Sequence, residues 1–352
     1  MPEPKTLLVL WPTGRCNLRC RYCYAADQSG DDMSLNTAVA AIDLIGDKPM
    51  TIQFAGGEPL LNVDLIAEIC AYATARLHDV RFALQTNGTL IDDSVTDLIQ
   101  QYRIAVGVSL DGRVAVNDYL RGDTAATVRG IRLLADCNLA INITAVVSNV
   151  NVNELNGLVD MALYLGNVNA IGLDLLRKSG RAAAANQGTG EVAPADSATL
   201  SYSLVELYHY LQAINAGQAG RPIAIREFEK ARTALALAAT TGELKPDQTD
   251  LIPTERQAYC YAALGRSFVV LPGGDCYPCG SLAGQEKYHM GNVHQSVQPL
   301  AIDCVRPAEC ASCEHRAYCP GGCPSRGLLS GGFDELDCVM RKTTYQLIKE
   351  EV

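Results

Sequence analysis

Residues 16–24 read CNLRCRYCY and come shortly after an apolar run at residues 7–11, LLVLW. A short apolar run of this length predicts a buried β-strand. The three cysteines are spaced C-x3-C-x2-C and would lie in the loop at the carboxyl end of that strand. Active sites of β/α barrels are built from the loops at this end of the strands. The stretch therefore predicts the first unit of a β/α fold with a reactive loop.

Short apolar runs continue to alternate with amphipathic segments through residue 180. The further predicted strands lie at residues 51–55, 80–85, 104–109, 141–147 and 170–175. The predicted helices between them lie at residues 34–45, 62–77, 91–102, 124–136 and 152–165. Ser34 is predicted as an N-cap, with Asn62 and Asp92 as weaker candidates. Six strands that alternate with helices indicate a parallel sheet and fall short of a closed eight-stranded barrel, so we expect an incomplete (β/α)6 barrel.

The alternation stops at residue 179, and the remaining chain has a different character. Residues 179–198 are small, polar and interrupted by Gly and Pro, which predicts a loop. Two helices are predicted at residues 199–215 and 224–239, and a last helix at residues 334–349. From residue 260 the chain is rich in Gly, Pro and Cys, so it cannot form a large apolar core and needs metal to hold it together.

Composition and charge exclude several classes of protein. The 352 residues carry 29 Lys and Arg against 39 Asp and Glu, which argues against nucleic acid as the main partner. The apolar runs are too short to cross a membrane, and the first residues do not match a secretion signal, so we expect a cytoplasmic protein. Nine of the 14 cysteines follow residue 259. In such a compartment this number indicates metal binding rather than disulfides.

The first cysteine group has the donor set for an iron–sulfur cluster. Cys16, Cys20 and Cys23 can hold three irons of a [4Fe–4S] cluster and leave the fourth without a protein ligand. An open iron can coordinate a substrate, as the open position of a catalytic zinc does. A structural zinc site short of one ligand, or buried thiols, also agrees with this spacing.

Further landmarks follow the cysteines in chain order, and together they resemble the radical S-adenosylmethionine (SAM) superfamily. They are GGEP at residues 56–59, QTNG at 85–88, SLDG at 109–112 and NDYLR at 117–121. The resemblance implies that Glu58 accepts from the methionine ammonium of SAM, that Ser109 contacts the ribose and that Arg121 meets the carboxylate. The implied cofactor-binding set comprises Tyr22, Gly56, Gly57, Glu58, Asn87, Ser109 and Arg121.

The cysteines of the last third resemble the seven-cysteine pattern of SPASM domains, which hold two auxiliary [4Fe–4S] clusters. The resemblance implies an outer cluster on Cys310, Cys313, Cys319 and Cys338, and an inner one on Cys260, Cys279 and Cys323. Three [4Fe–4S] clusters and SAM would then be the cofactors. The implied domains are a radical SAM partial barrel (1–180), a linker with bridging helices (181–255) and a SPASM iron–sulfur domain (256–352). A pair of zinc sites is the alternative, because C-x2-C also begins zinc ribbons.

The inner set is one ligand short of four. Cys276 forms a C-x2-C turn with Cys279, and such turns commonly give both thiolates to one cluster. We therefore expect Cys276 as the fourth ligand, ahead of an open iron and of Cys304. The alternative is that Cys276 fills a strand position in a hairpin. Cys70 and Cys137 are expected to be small buried hydrophobic residues.

The resemblance also implies the activity: a 5′-deoxyadenosyl radical that takes hydrogen from a C–H bond. SPASM enzymes mostly act on peptides, so we expect a maturase of a ribosomally synthesised precursor peptide, by crosslinking, epimerisation or fragment excision. A sulfatase-type protein maturase is an alternative, but sulfatase maturases place an Asp base after the second inner-cluster cysteine, where this chain has Gly280. This difference argues against the sulfatase role. A small-molecule radical SAM dehydrogenase and a non-enzymatic iron–sulfur electron carrier are rival interpretations of the same motifs. No catalytic residue is assigned beyond the SAM cluster.

The partners expected are the precursor peptide and an electron donor such as flavodoxin or ferredoxin. Because the first strand begins at Leu7, we also expect a separate leader-binding protein to present the peptide.

Overall fold

Six parallel strands, paired in chain order, form the centre of the molecule. The structure, a computed structural model, describes residues 5–25, 30–185, 192–217, 222–241 and 258–351. The six strands are β1 (Thr6–Leu10), β2 (Met50–Phe54), β3 (Val80–Thr86), β4 (Ala105–Ser109), β5 (Ile141–Val147) and β6 (Val168–Leu175). Each pairs in parallel with the next. The predicted incomplete (β/α)6 barrel is confirmed.

Six α-helices lie between the described strands β1 and β6; five of them match the predicted helices, and the short fourth one was not predicted. They are α1 (Leu35–Ile45), α2 (Val63–Arg76), α3 (Asp93–Tyr102), α4 (Val114–Leu120), α5 (Thr124–Asp136) and α6 (Asn156–Leu165). Ser34 and Asp92 cap α1 and α3, because each side chain accepts a backbone N–H of the first helical turn. Asn62 makes no such cap and instead donates to the carbonyl of Pro12, at 3.0 Å. Asn62 therefore occupies the predicted N-cap position of α2 but does not cap the helix through its side chain.

The remaining helices follow β6 in the chain. They are α7 (Gly180–Ala185), α8 (Ser197–Gly217), α9 (Arg226–Thr241), α10 (Pro324–Leu329) and α11 (Glu335–Lys349). The loop predicted for residues 179–198 is wrong over α7, where a run of four alanines has high helix propensity. None of the helices that the structure describes has both the length and the apolar character of a membrane span.

Three short strands extend the sheet at its two edges. They are β7 (Ala224–Ile225), β8 (Ser267–Val270) and β9 (Cys276–Tyr277). The strand order is β7-β6-β5-β4-β3-β2-β1-β8-β9, and only β8 and β9 pair antiparallel among the described strands. Because β8 lies parallel to β1, the cysteine-rich region is attached directly beside the loop of the first three cysteines. The three-domain division stays a prediction.

A separate apolar cluster fills the space between these two regions. It contains Trp11 from the end of β1, Val269 from β8, Tyr277 from β9 and Leu282. The half-buried cysteines at positions 23, 260 and 279 pack against it. This apolar layer therefore contacts both the first cysteine loop and two cysteines of the last third of the chain, Cys260 and Cys279.

Candidate active site

One cavity opens at the carboxyl ends of the barrel strands. Its volume is about 230 Å³. It brings together all ten residues that the sequence assigns to the SAM cluster and to SAM, namely Cys16, Cys20, Tyr22, Cys23, Gly56, Gly57, Glu58, Asn87, Ser109 and Arg121. These residues come from the loops after four different strands, so the parallel sheet gathers them at one edge.

The three cavity thiols form a donor set that suits an iron–sulfur cluster. Burial raises the pKa of Cys16 and of Cys20, and neighbouring thiols raise it further. Arg121 partly offsets this effect at Cys20. Bound metal keeps a coordinating thiol deprotonated even where burial opposes its charge. The residues present therefore fit a cluster held by Cys16, Cys20 and Cys23.

Gly56 and Gly57 let the loop after β2 pack against the cysteine loop. A Cβ on Gly57 would lie 1.9 Å from the backbone oxygen of Arg15. Gly56 has φ +117°, and a Cβ there would lie 2.8 Å from Trp11 Cγ. Only glycine fits either position, and the contact fixes the two loops relative to each other.

Glu58 is buried beneath the cavity and accepts three hydrogen bonds from the protein. Its Oε1 accepts from Thr86 Oγ1 at 2.6 Å and from the backbone N–H of Leu60 at 3.2 Å. Its Oε2 accepts from the backbone N–H of Asn87 at 2.8 Å. Burial raises the pKa of Glu58, although these hydrogen bonds lower it. A cationic ligand group in the cavity would favour the charged carboxylate.

Arg121 belongs to a buried charge network that the motif spacing does not predict. Tyr22 donates its hydroxyl proton to Asp111, and Arg121 Nη1 donates to the Tyr22 hydroxyl oxygen. Asp111 Oδ1 also accepts from the N–H of Val146 at 2.9 Å. Arg121 Nε is buried and has no hydrogen-bond partner among the described residues. Asp111 lies within SLDG, so the sequence contains a signal for it.

The floor of the cavity carries a row of polar side chains from adjacent strands. Gln85 Nε2 donates to Ser109 Oγ at 2.9 Å, and Thr144 Oγ1 donates to Gln85 Oε1 at 3.5 Å. The row crosses β3, β4 and β5. Gln85 and Thr144 were not assigned from sequence, although polar residues at alternate positions of a buried strand are unusual.

The far end of the cavity has a different lining. Tyr24, Asp174, Leu176 and Arg177 lie there, toward β6. Tyr24 is 39% exposed, and a Cβ on Gly280 would lie 3.4 Å from its hydroxyl oxygen. Sequence reasoning missed these residues, because single Asp, Arg and Tyr residues near a strand end carry no spacing pattern.

A pair of serines links two of the three inner cysteines. Cys279 Sγ lies 3.2 Å from Ser281 Oγ, and Cys323 Sγ lies 3.2 Å from Ser325 Oγ. The two hydroxyls bond each other at 3.0 Å. Burial raises the pKa of Cys260 to about 11, and the neighbouring Cys323 and Cys279 thiols raise it as well. Cys260, Cys279 and Cys323 therefore form one group.

Cys276 does not join this group. Its side chain is fully buried in the main apolar core, and burial raises its pKa to about 12. The next residue, Tyr277, packs into the separate cluster around Trp11. Because successive strand residues point to opposite faces, Cys276 fills a strand position in the hairpin of β8 and β9. The structure does not support Cys276 as the fourth ligand.

The outer cysteines line a second cavity beneath α11. Its lining includes Cys310, Cys313, Cys319, Cys338, Arg306, Arg341 and Tyr345. Burial raises the pKa of Cys338, and the thiols of the other three cysteines raise it too. Cys304 Sγ accepts the N–H of Gly322 at 3.1 Å and lies beside Cys319. Cys304 therefore sits on the outer side.

Cys70 and Cys137, two cysteines that were not expected to bind metal, differ in burial. Cys70 is fully buried in the main apolar core, as predicted. Cys137 is exposed at the carboxyl end of α5, so its predicted burial is wrong. The last buried side chain of α5 is that of Leu134, and the thiol three residues later lies at the surface.

Comparisons with known proteins bear on the family of the chain. A family model described as the radical SAM superfamily matches residues 12–162. The uncharacterized protein MJ0907 of Methanocaldococcus jannaschii is 32% identical over 288 residues, which cover 79% of this chain and 85% of that protein. The serine-type anaerobic sulfatase-maturating enzyme of Klebsiella aerogenes is 27% identical over 352 residues, covering 90% of this chain and 79% of that enzyme.

Solved structures show the same fold over nearly the whole chain. Native anSMEcpe with bound AdoMet and Cp18Cys peptide has a TM-score of 0.77 at 19% identity, covering 99% of this chain and 98% of that one. Streptococcus suis SuiB bound to precursor peptide SuiA has a TM-score of 0.68 at 17% identity, covering 95% and 76%. The family match spans the cysteine loop and the polar strand ends that build the cavity, and the chain is an enzyme that belongs to the radical SAM superfamily.

Proposed function

We propose that this enzyme is a SPASM-type maturase that abstracts hydrogen from a ribosomally synthesised precursor peptide. The observation that carries the proposal is that the cavity lining is larger than the set of residues assigned to SAM. Residues that fit SAM come from the ends of β1 to β4 and the loops after them, and the lining also includes Tyr24, Leu176 and Arg177 toward β6. A second substrate that contacts these three residues would lie beside SAM. Two proteins of the same fold were solved with peptides bound, which supports a peptide here.

Within this proposal the chain's own residues hold and orient the cofactors. Cys16, Cys20 and Cys23 hold the cluster, while Glu58 and Arg121 orient the amino and carboxylate ends of SAM. Together the cluster and SAM supply, when bound, a 5′-deoxyadenosyl radical that takes a hydrogen atom from the substrate. The apolar side chain of Leu176 helps to exclude water from the far end of the cavity. An external electron donor such as flavodoxin or ferredoxin is required.

We further propose that the two other cysteine groups hold auxiliary [4Fe–4S] clusters, so that the enzyme carries three. The support is that the structure gathers Cys260, Cys279 and Cys323 in one place and the four outer cysteines in another. With three cysteines at the inner site and Cys276 in the core, one iron of the inner cluster would have an open position. Cysteine ligation of this kind also stabilises a region with little apolar core.

Sulfatase maturation is the second candidate, because a sulfatase-maturating enzyme aligns with 90% of the chain. The position of the Asp base expected in that group is Gly280 here. A side chain on Gly280 would point toward the Tyr24 hydroxyl, and Gly280 itself supplies no carboxylate there. This difference favours crosslinking, epimerisation or excision over sulfatase maturation.

The test is hydrogen transfer from the substrate. A candidate precursor peptide encoded near the gene is prepared with deuterated residues, and 5′-deoxyadenosine is examined by mass spectrometry. We expect deuterium in 5′-deoxyadenosine and a mass change in the peptide. If deuterium reaches 5′-deoxyadenosine from a deuterated sulfatase peptide and not from the precursor peptide, the second candidate is supported. If neither peptide donates deuterium although SAM is cleaved, the peptide-maturase proposal is wrong.

A further inference from the structure

A closed ring of polar contacts joins the cavity to the inner cysteine Cys323. On one side, Arg177 Nη2 lies 4.0 Å from Cys323 Sγ. The Nη1 of the same guanidinium donates to Asp174 Oδ2. Asp174 is the next-to-last residue of β6, so this half of the ring starts from the barrel.

The other half returns to Cys323 through the two last helices. Arg326 Nη1 donates to Asp174 Oδ1 at 2.7 Å. Arg326 Nη2 and Nε donate to the two carboxylate oxygens of Asp337, at 2.5 and 3.0 Å. Asp337 Oδ2 then accepts the backbone N–H of Cys323 at 2.9 Å. The ring therefore holds one residue at both its sulfur and its backbone.

Burial makes the half of the ring formed by Arg326 and Asp337 rigid. Arg326 is 2% exposed and Asp337 is 3% exposed. A buried ion pair leaves an uncompensated charge if one partner is removed, so the members fix one another's geometry. Within the ring, the charges of the two arginines balance those of the two aspartates. A negatively charged group bound to Cys323 therefore has Arg177 as its nearby positive charge in the ring.

Arg177 differs from the other arginine of the ring because it also lines the SAM cavity. Its Nε is buried and has no hydrogen-bond partner among the described residues. Buried N–H groups are nearly always paired, so the unpaired Nε of a guanidinium whose Nη2 lies near the Cys323 thiol indicates a missing acceptor. A cluster bound to Cys323 would supply negatively charged sulfur next to this guanidinium.

We propose that Arg177 is a positioning residue that raises the reduction potential of the cluster held by Cys260, Cys279 and Cys323. A fixed positive charge stabilises the reduced cluster, which carries one more negative charge, over the oxidised one. Hydrogen bonds to the sulfurs and local charge are general means by which proteins set such potentials. The inference rests on the proposed function, since it requires that these cysteines hold a cluster.

The experiment is a redox titration followed by electron paramagnetic resonance. The parent protein has Cys16, Cys20 and Cys23 all replaced by Ala, so that only the auxiliary clusters give signals. Arg177→Gln in this parent should lower the ratio of reduced to oxidised inner cluster about tenfold at a fixed applied potential, or about 59 mV for one electron. Arg177→Lys, which keeps the charge, should restore most of the ratio.

Two references separate this effect from a general disturbance. The outer cluster of the same protein should keep its potential, and Arg76→Gln, an exposed residue in the last turn of α2, should change neither cluster. An unchanged inner potential in Arg177→Gln overturns the proposal, whether or not iron is lost. Equal shifts of both clusters also overturn it. If the parent protein shows no inner-cluster signal before any Arg177 variant is made, the assignment of a cluster to Cys260, Cys279 and Cys323 is wrong, and the proposal for Arg177 falls with it.

Discussion

Glu58 shows how one buried side chain can serve both the fold and a ligand. Two of its three protein hydrogen bonds tie the loop after β2 to Thr86 and Asn87 at the end of β3, and the third, from Leu60, lies within the loop after β2. Burial raises its pKa, so the carboxylate is charged at a cost that a cationic ligand would offset.

Glu58→Gln is predicted to weaken SAM binding. The Gln amide has an NH2 donor in place of one carboxylate oxygen, and this donor must face either the Asn87 N–H or the Thr86 hydroxyl, both of which donate to Glu58 in the unaltered protein. The neutral amide also cannot balance the charge of the SAM ammonium group. We expect the Kd for SAM to rise about tenfold, or about 1.4 kcal/mol. Isothermal titration under anaerobic conditions measures it. Glu154→Gln, at an exposed ion pair, is the control, and equal affinities for all three proteins would contradict the role of Glu58.

Gly57 lets the loop after β2 pack against the loop that carries Cys16, Cys20 and Cys23. Gly57→Ala places a methyl group 1.9 Å from the Arg15 carbonyl oxygen, so backbone must move. Because Arg15 precedes Cys16, we expect loss of the SAM cluster and about one third of the iron. Gly217→Ala, whose added Cβ meets nothing within 4 Å, is the control. A full iron complement in Gly57→Ala would show that the contact is dispensable.

The hairpin of β8 and β9 decides the role of Cys276. We predict that Cys276→Ala keeps the iron content and spectrum of the auxiliary clusters, and lowers stability by about 1 kcal/mol through the cavity it leaves. Cys279→Ala should instead lose the inner cluster. Iron analysis and absorption spectra of the two variants measure this difference. Loss of inner-cluster iron from Cys276→Ala would restore the ligand assignment made from sequence.

The six barrel strands and their main helices could be predicted because their apolar periodicity is local. The strand β8 could not, because it is defined by pairing with β1, about 260 residues away in sequence. The helices α4 and α7 are short, at 7 and 6 residues, and carry little periodicity. Long elements with a local apolar pattern can therefore be predicted from sequence, whereas short elements and those defined by tertiary pairing cannot.

Site residues also divide into those that belong to a local sequence motif and those that only tertiary contacts bring together. Residues in spaced motifs, such as Cys16 and Glu58, could be predicted and lie together. Asp174, Arg177 and Arg326 could not, because their contact joins β6 to α10 across about 150 residues. For Cys276, C-x2-C spacing does not reveal which face of a strand a thiol occupies, and the structure places this thiol in the main apolar core.

At the scale of the whole molecule, the apolar cluster around Trp11 lies between the first cysteine loop and the inner cysteines. The ring through Asp174 and Asp337 fastens the last two helices to the same end of the barrel. The cavity is therefore enclosed by parts of the chain that are distant in sequence. This architecture suits an enzyme whose reactive intermediate must be kept from water.

The most direct test of the central claim is reductive cleavage of SAM. The enzyme is loaded with iron and sulfide under anaerobic conditions, reduced with dithionite and assayed for 5′-deoxyadenosine. The account predicts that the unaltered enzyme and Cys137→Ala, at an exposed thiol, both form it. Cys20→Ala should form none while keeping about two thirds of the iron. Formation of 5′-deoxyadenosine by Cys20→Ala, or its absence from the fully loaded unaltered enzyme, would contradict the account.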